Sequence, residues 1–122
     1  MRYIVEKDEN ISMACGVGAT VTLFTVRVPQ GSKMRITHFG NYLNLAGHWS
    51  HVTWSMARNG VGVHPYDVVL DQLGLESRAR EVKPPVFNGG DEICITATDD
   101  GTIAQPPALA VGILLKYQFE EK

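Results

Sequence analysis

The chain has 122 residues, of which 44% are hydrophobic and 20% charged, with a formal net charge of −2 at pH 7. This composition is typical of a folded globular protein and excludes an intrinsically disordered one. The length predicts a single domain over residues 1–122.

Charge is distributed unevenly along the chain. Residues 10–66 contain no Asp or Glu and only four basic side chains, whereas residues 67–122 contain ten acidic and five basic ones. Because the basic residues are sparse, we expect no nucleic-acid partner. No run of about 18 apolar residues occurs, so we expect no membrane segment.

The first half of the chain contains two strong strand patterns. After a short apolar start at residues 3–5, residues 10–19 are small and contain glycine, which predicts a loose arm. Residues 20–28, TVTLFTVRV, are rich in β-branched and aromatic types and predict a strand. Residues 34–43 predict another strand, in which Gly40 indicates a bulge or a close backbone approach.

The next segment alternates between apolar and polar residues. Its apolar positions predict one core-facing side of a strand: Val52, Trp54 and Met56. Asn59-Gly60 follows and predicts a type I′ hairpin turn, because both residues tolerate positive φ. The returning strand is expected over residues 61–64.

The second half begins with an irregular region over residues 67–85 and then resumes the strand pattern at residues 91–98 and 108–119. In the last strand the odd positions are bulky and predict core, whereas even positions such as Gly112 are small and would admit another layer or subunit. The neighbouring acids Asp99 and Asp100 are expected to be solvated in a turn. Seven or eight strands joined by tight turns predict an all-β antiparallel sandwich or barrel.

The histidine pair in GHWSHVTW does not predict a metal site. His48 and His51 are three residues apart, and on a strand an odd spacing directs two side chains to opposite faces. No Asp or Glu lies within fifteen residues of the pair, although zinc takes three or four convergent ligands.

Neither Cys15 nor Cys94 has a sequence context that would activate a nucleophile. We therefore expect no metal, no cofactor and no enzymatic activity.

Several features together resemble the small jelly-roll decoration or cement proteins of tailed-phage heads. They are a strand ending in VPQG, the hairpin WSMARNG, a long Pro-bearing connection, the strand GGDEICITAT and an apolar final strand. The resemblance implies an antiparallel jelly-roll β-sandwich of about 7–8 strands that binds the major capsid protein. It also implies a homodimer or homotrimer at the capsid surface of the virion, synthesised in the host cytoplasm.

Two other functions stay open. A carbohydrate-binding, lectin-like module of a phage fibre or surface protein would use exposed aromatic residues. A cupin-type metal-dependent enzyme is disfavoured, because the cupin motif needs an H-x-H pair followed by Glu, and this chain has H-x-x-H without one.

Aromatic and arginine side chains are the usual anchors of a protein interface. The candidate interface residues on this criterion are Tyr42, Trp49, His51, Tyr66, Arg78 and Arg80.

Overall fold

The structure is a computed structural model that describes residues 3–16, 18–44, 51–63, 86–101 and 109–121. These residues form eight β-strands: β1 (Tyr3–Ala14), β2 (Thr20–Arg27), β3 (Ser32–Leu43), β4 (Val52–Arg58), β5 (Val61–Gly62), β6 (Val86–Asn88), β7 (Glu92–Asp99) and β8 (Ala110–Glu121). In this part of the chain, no helix has the length and apolar character needed to cross a lipid bilayer.

The strands form two four-stranded sheets. The first sheet has the order β1-β8-β3-β6 and the second has the order β2-β7-β4-β5. All strand pairs are antiparallel. The chain is therefore an all-β protein with the architecture of a β-sandwich, as the sequence predicted.

The core lies between the two sheets and is built from alternate positions of each strand. In β4 and β7 the buried residues follow the period of two that was read from the sequence, and in β8 they do so apart from Gly112, which is buried on the outer side. Trp54 and Met56, predicted as core, are fully buried. The bulky odd face of the last strand, also predicted as core, is buried from Leu109 to Tyr117.

One hydrogen bond connects the two sheets through the centre of the core. The indole Nε1 of Trp54, in the second sheet, donates to the carbonyl oxygen of Gly112 in the first, at 3.2 Å. Because a buried indole N–H without a partner costs free energy, this bond fixes the orientation of the largest core side chain.

The first strand is longer than the sequence predicted. Residues 10–14, expected to belong to a loose arm, continue β1 and pair with β8 from Asn10 opposite Leu114 to Ala14 opposite Ala110. β1 is an edge strand of its sheet, and all of its side chains from Glu6 to Ala14 are half-buried or exposed. Polar residues therefore occur on both faces and hide the alternation that identifies a half-buried strand.

The irregularity in β3 also lies elsewhere than predicted. The register with β8 shifts between Ile36 and His38, and not at Gly40. The extra residue, Thr37, donates its hydroxyl hydrogen to the carbonyl oxygen of Lys116 at 3.2 Å. A side-chain hydrogen bond thus substitutes locally for a backbone one, which stabilises a bulge without a glycine.

The Asn59-Gly60 turn is confirmed. The two residues have φ angles of 51° and 84°, as a type I′ turn requires, and they join β4 to β5. The returning strand is shorter than predicted, since β5 ends at Gly62. The Asn59 side chain accepts a hydrogen bond from the Glu92 backbone N–H at 2.8 Å, which ties the turn to β7.

Candidate binding surfaces

Two of the six predicted interface residues lie in the described part of the chain. Tyr42 belongs to β3, and His51 directly precedes β4. The other four lie outside the described residues: Trp49, Tyr66, Arg78 and Arg80. Their predicted role, like that of Tyr42 and His51, stays a prediction.

Tyr42 lies across the outer side of the first sheet. Its ring covers Gly112 of β8 so closely that a Cβ atom added to Gly112 would be 2.3 Å from the tyrosine Cζ. The Tyr42 hydroxyl then donates to Asn10 Oδ1 of β1 at 3.0 Å. The small face of the last strand was expected to admit another layer or subunit, but at Gly112 the chain fills that space with its own Tyr42.

His51 is hydrogen-bonded to Asp100. Its Nδ1 lies 2.9 Å from Asp100 Oδ2, and the Asp100 backbone N–H donates to the His51 carbonyl oxygen at 2.9 Å. The two residues thus connect the start of β4 to the turn that follows β7. No group of three or more His, Cys, Asp and Glu side chains that could hold a metal ion occurs among the described residues.

Asp99 is buried, although its position beside a turn predicted a solvated carboxylate. Only 3% of its surface is exposed, and its Oδ2 accepts hydrogen bonds from the backbone N–H groups of Gly18 at 2.9 Å and Gly101 at 3.2 Å. This burial could have been predicted from the sequence, since Asp99 lies on the same side of β7 as the inward-facing Ile93 and Ile95. The carboxylate holds two turns together at one end of the sandwich.

Cys15 lies beside this buried carboxylate. Its Sγ is 3.5 Å from the carbonyl oxygen of Ala19. Burial raises the pKa of the Cys15 thiol above its ordinary value; a hydrogen bond from the Asp99 backbone partly opposes this, whereas the Asp99 charge adds to it. A thiol with a raised pKa stays protonated near neutral pH and is a poor nucleophile. Cys15 therefore serves packing.

The outer face of the second sheet carries short, uncharged side chains. The register places three residues side by side in each of three rows across β2, β7 and β4. We call these nine residues the hydroxyl face: Thr20, Thr98 and Thr53 in the first row, Thr22, Thr96 and Ser55 in the second, and Thr25, Cys94 and Ala57 in the third. All nine are half-buried or exposed, and seven carry a hydroxyl group. In the first row, the Thr20 and Thr98 hydroxyls are hydrogen-bonded at 2.8 Å.

Charged residues border the hydroxyl face at both ends. Beyond the third row, Arg27 and Glu92 form an exposed ion pair at 3.3 Å. Beyond the first row lies the pair of His51 and Asp100. This face could not be predicted from the sequence, because its segments Thr20–Thr22, Thr53–Ser55 and Thr96–Thr98 are far apart in the chain and only the strand register brings them together.

The outer face of the first sheet has the opposite character over part of its length. We call this part of β1, β8 and β3 the charged face: Glu6, Asp8, Lys33, Arg35, His38, Lys116, Gln118 and Glu120. The adjoining rows are uncharged and consist of Asn10, Leu114 and Gly40, then Ser12, Gly112 and Tyr42. A groove of about 320 Å³ opens on this side, lined by Asp8, Glu9, Asn10, His38, Leu114, Leu115 and Lys116. Positive and negative side chains alternate across its strands, as is common for a solvated sheet face.

Comparison with known proteins identifies no family. No protein-family model matches the chain, and no curated protein matches it at a significant level of sequence similarity. The resemblance to phage decoration proteins therefore remains an expectation from sequence pattern.

Proposed function

We propose that the chain is a non-enzymatic jelly-roll protein that binds and stabilises a phage capsid as a decoration or cement subunit. The strand pairing is the observation that carries this proposal. The first strand pairs with the eighth, the second with the seventh, the third with the sixth and the fourth with the fifth. A long hairpin of four strand pairs rolled into two sheets gives this pattern, and viral capsid domains, lectins and cupins use such jelly rolls.

The environment of the reactive side chains supports a role in binding, without catalysis. The Asp99 carboxylate accepts two backbone hydrogen bonds, the Cys15 thiol is buried with a raised pKa, and His51 pairs with Asp100. Each of these contacts stabilises a turn at one end of the sandwich. These three side chains, which belong to the described part of the chain and are of types used in general acid–base or nucleophilic catalysis, thus maintain the fold.

The mechanism of a cement subunit is adhesive. Contacts with two or more copies of the major capsid protein, and with further copies of the same chain in a dimer or trimer, add interface free energy to the shell. A specific interface of standard size buries about 1,200–2,000 Å² in total, and several linked contacts increase the effective affinity. Such binding at the virion surface would slow local opening of the shell.

The test uses capsids of the phage that encodes this chain, purified from a lysate of a mutant lacking the gene. We expect the purified protein to co-sediment with these shells in a fixed ratio and to raise the temperature at which they release DNA. Shells of an unrelated phage serve as the control. Absence of binding to the cognate shells would overturn the proposal. A gene for a major capsid protein in a neighbouring reading frame is the corresponding genomic expectation.

Carbohydrate binding is the second candidate function, and the groove on the charged face favours it. Its volume of about 320 Å³ is at the lower end of the range of ligand sites and suits one sugar ring. The half-buried Leu114 lies between Asn10 of β1 and Gly40 of β3, so an apolar surface is flanked by polar groups. We expect sugar binding in this groove to be abolished by Leu114→Arg and retained in Gln118→Arg. A glycan array without any bound sugar would exclude this candidate.

A further inference from the structure

The chain contains two Asn-Gly pairs, and both lie in turns of the sandwich. Asn59-Gly60 joins β4 to β5, and Asn88-Gly89 begins the turn between β6 and β7. In such a pair the backbone nitrogen of the glycine can attack the carboxamide carbon of the asparagine, because glycine has no Cβ atom to obstruct the approach. Whether this reaction occurs in a folded chain depends on how firmly the asparagine side chain is held.

Asn59 is held at both ends of its carboxamide. Its Oδ1 accepts a hydrogen bond from the Glu92 backbone N–H at 2.8 Å, and its Nδ2 donates to Asp91 Oδ1 at 3.1 Å. The Asn59 backbone N–H also donates to the carbonyl oxygen of Glu92 at 2.8 Å. Rotation of the carboxamide toward the Gly60 nitrogen would break both side-chain bonds, so the fold opposes the attack at this turn.

Asn88 is held through its backbone, whereas its side chain is not. The Asn88 backbone N–H donates to Asp91 Oδ2 at 2.9 Å, and its carbonyl oxygen accepts from the Asp91 backbone N–H at 3.0 Å. The residue is exposed, and its carboxamide forms no hydrogen bond in the part of the chain that the structure describes. The carboxamide can therefore turn toward the Gly89 nitrogen without the loss of a side-chain contact.

We propose that Asn88 is a site of spontaneous deamidation and that the fold protects Asn59 from the same reaction. The Gly89 nitrogen loses its proton to solvent and forms a bond to Asn88 Cγ, and the bond from Cγ to Nδ2 breaks as ammonia leaves. Water then opens the succinimide ring at either carbonyl group, which leaves aspartate or isoaspartate at position 88. The reaction consumes water alone, and it does not depend on the capsid-binding function.

The position of Asn88 gives this modification a structural consequence. Asn88 pairs with β3 at the end of β6, and a Cβ added to the adjacent Gly89 would lie 2.9 Å from the Pro29 carbonyl oxygen. Isoaspartate adds a methylene to the backbone at this closely packed point, and either product places a new carboxylate beside that of Asp91. Both changes loosen β6, the edge strand that anchors the buried Phe87.

Peptide mapping by mass spectrometry tests the proposal on the wild-type chain. Trypsin cleaves at Arg78 and Arg80 and so separates the two asparagines into different peptides. The chain is incubated in a mildly alkaline buffer, folded in one sample and unfolded in urea in the other. We expect similar rates at the two sites in urea and, in the folded chain, a rate at Asn88 at least tenfold above that at Asn59. A smaller ratio in the folded chain, or no reaction at Asn88 while the unfolded chain is converted, would overturn the proposal.

Two variants test the protection and the consequence separately. Asp91→Ala removes the acceptor of Asn59 Nδ2 and should raise the rate at Asn59, whereas Thr96→Ala, on the outer face of the same strand pair, should leave it unchanged; equal rates at Asn59 in both would refute the protective role. Asn88→Ser cannot react at position 88. Its Tm should stay constant during incubation while that of the wild type falls with conversion, and an equal fall in both would contradict the structural consequence.

Discussion

Substitution of Gly112 by alanine tests how closely the Tyr42 ring packs against the outer face of the first sheet. In an ordinary strand this change stabilises by about 0.5–1 kcal/mol, because glycine loses more backbone entropy on folding. Here the new Cβ would lie 2.3 Å from Tyr42 Cζ and 2.7 Å from the Ile11 carbonyl oxygen. Carbon atoms in contact are normally about 3.5–4.0 Å apart, so the tyrosine ring must move by more than about 1 Å.

The expected cost follows from what this movement breaks. Loss of the Tyr42–Asn10 hydrogen bond costs about 0.5–1.5 kcal/mol, and overpacking of a tight site typically costs about 1–3 kcal/mol. Together these costs amount to about 1.5–4.5 kcal/mol, and the backbone-entropy gain of about 0.5–1 kcal/mol reduces them to a net destabilisation of about 0.5–4 kcal/mol for Gly112→Ala. With an unfolding entropy of about 2.1 cal/mol/K per residue, this lowers the Tm of the chain by about 2–16 °C.

Thermal unfolding monitored by circular dichroism, with urea titration in parallel, measures the effect. Gly16→Ala is the matched control, since a Cβ at Gly16 would meet Ala19 Cβ at an ordinary 3.6 Å; it should change stability by less than about 0.5 kcal/mol. In a Tyr42→Ala background, Gly112→Ala should cost about half as much, because only the contact with Ile11 remains. An unchanged cost in that background, or a Gly112→Ala variant as stable as the wild type, would refute the reasoning.

Three further substitutions or reactions probe the rest of the fold. Trp54→Phe removes the donor to the opposite sheet and leaves a small void, so urea unfolding should show a loss of about 2–3 kcal/mol; an unchanged midpoint would contradict this. The backbone N–H of Asn88 and the side chain of Asn59 lower the pKa of Asp91. Its contribution to stability is therefore present above the unfolded pKa and lost as the pH falls through the folded one. The wild type should accordingly lose more stability than Asp91→Asn between pH 6 and pH 3, and equal losses would contradict the assignment. At pH 8 a maleimide should modify the half-buried Cys94 before the buried Cys15, as peptide mapping would show; the reverse order would be inconsistent with the burial of Cys15.

The strands that face the core could be predicted from the sequence because packing imposes a strict period of two. In residues 52–56, 92–99 and 109–117 buried positions alternate with more exposed ones, apart from the buried Gly112, and the alternation of apolar residues in the sequence located β4, β7 and β8. The Asn59-Gly60 turn was predictable for a different reason, since its positive φ angles restrict the residue types.

The full extent of the edge strand β1 could not be predicted from alternation in the sequence. Residues 6–10 of β1 read EKDEN. Lys7 and Glu9 lie opposite Tyr117 and Leu115 of β8 and share the inward-facing side of the sheet with them. Charged residues that point inward on an edge strand discourage pairing with another chain. The same feature removes the apolar alternation, so the residues that protect the edge also conceal the strand.

The contacts around Tyr42 depend on register between distant segments. Tyr42 and Gly112 are adjacent only because β3 and β8 pair with a bulge at Thr37, and a shift of one residue would reverse the face of every side chain. The sequence could therefore nominate Tyr42 as an exposed aromatic anchor but not show that its ring covers a glycine. The burial of Asp99, in contrast, could have been predicted without knowledge of the register, because alternation along β7 already places it on the core-facing side.

The outer faces of the two sheets could not be predicted from the sequence in the way that the core could. Threonine has a high strand propensity, which favours hydroxyl side chains at solvated strand positions such as Thr22, Thr96 and Ser55. The outer face of the first sheet carries charges in some rows, such as Asp8–Lys116–His38, and none in others, such as Asn10–Leu114–Gly40. Contact with water imposes no single residue type, so the strand register, and not the composition of any one strand, determines which side chains form a surface together.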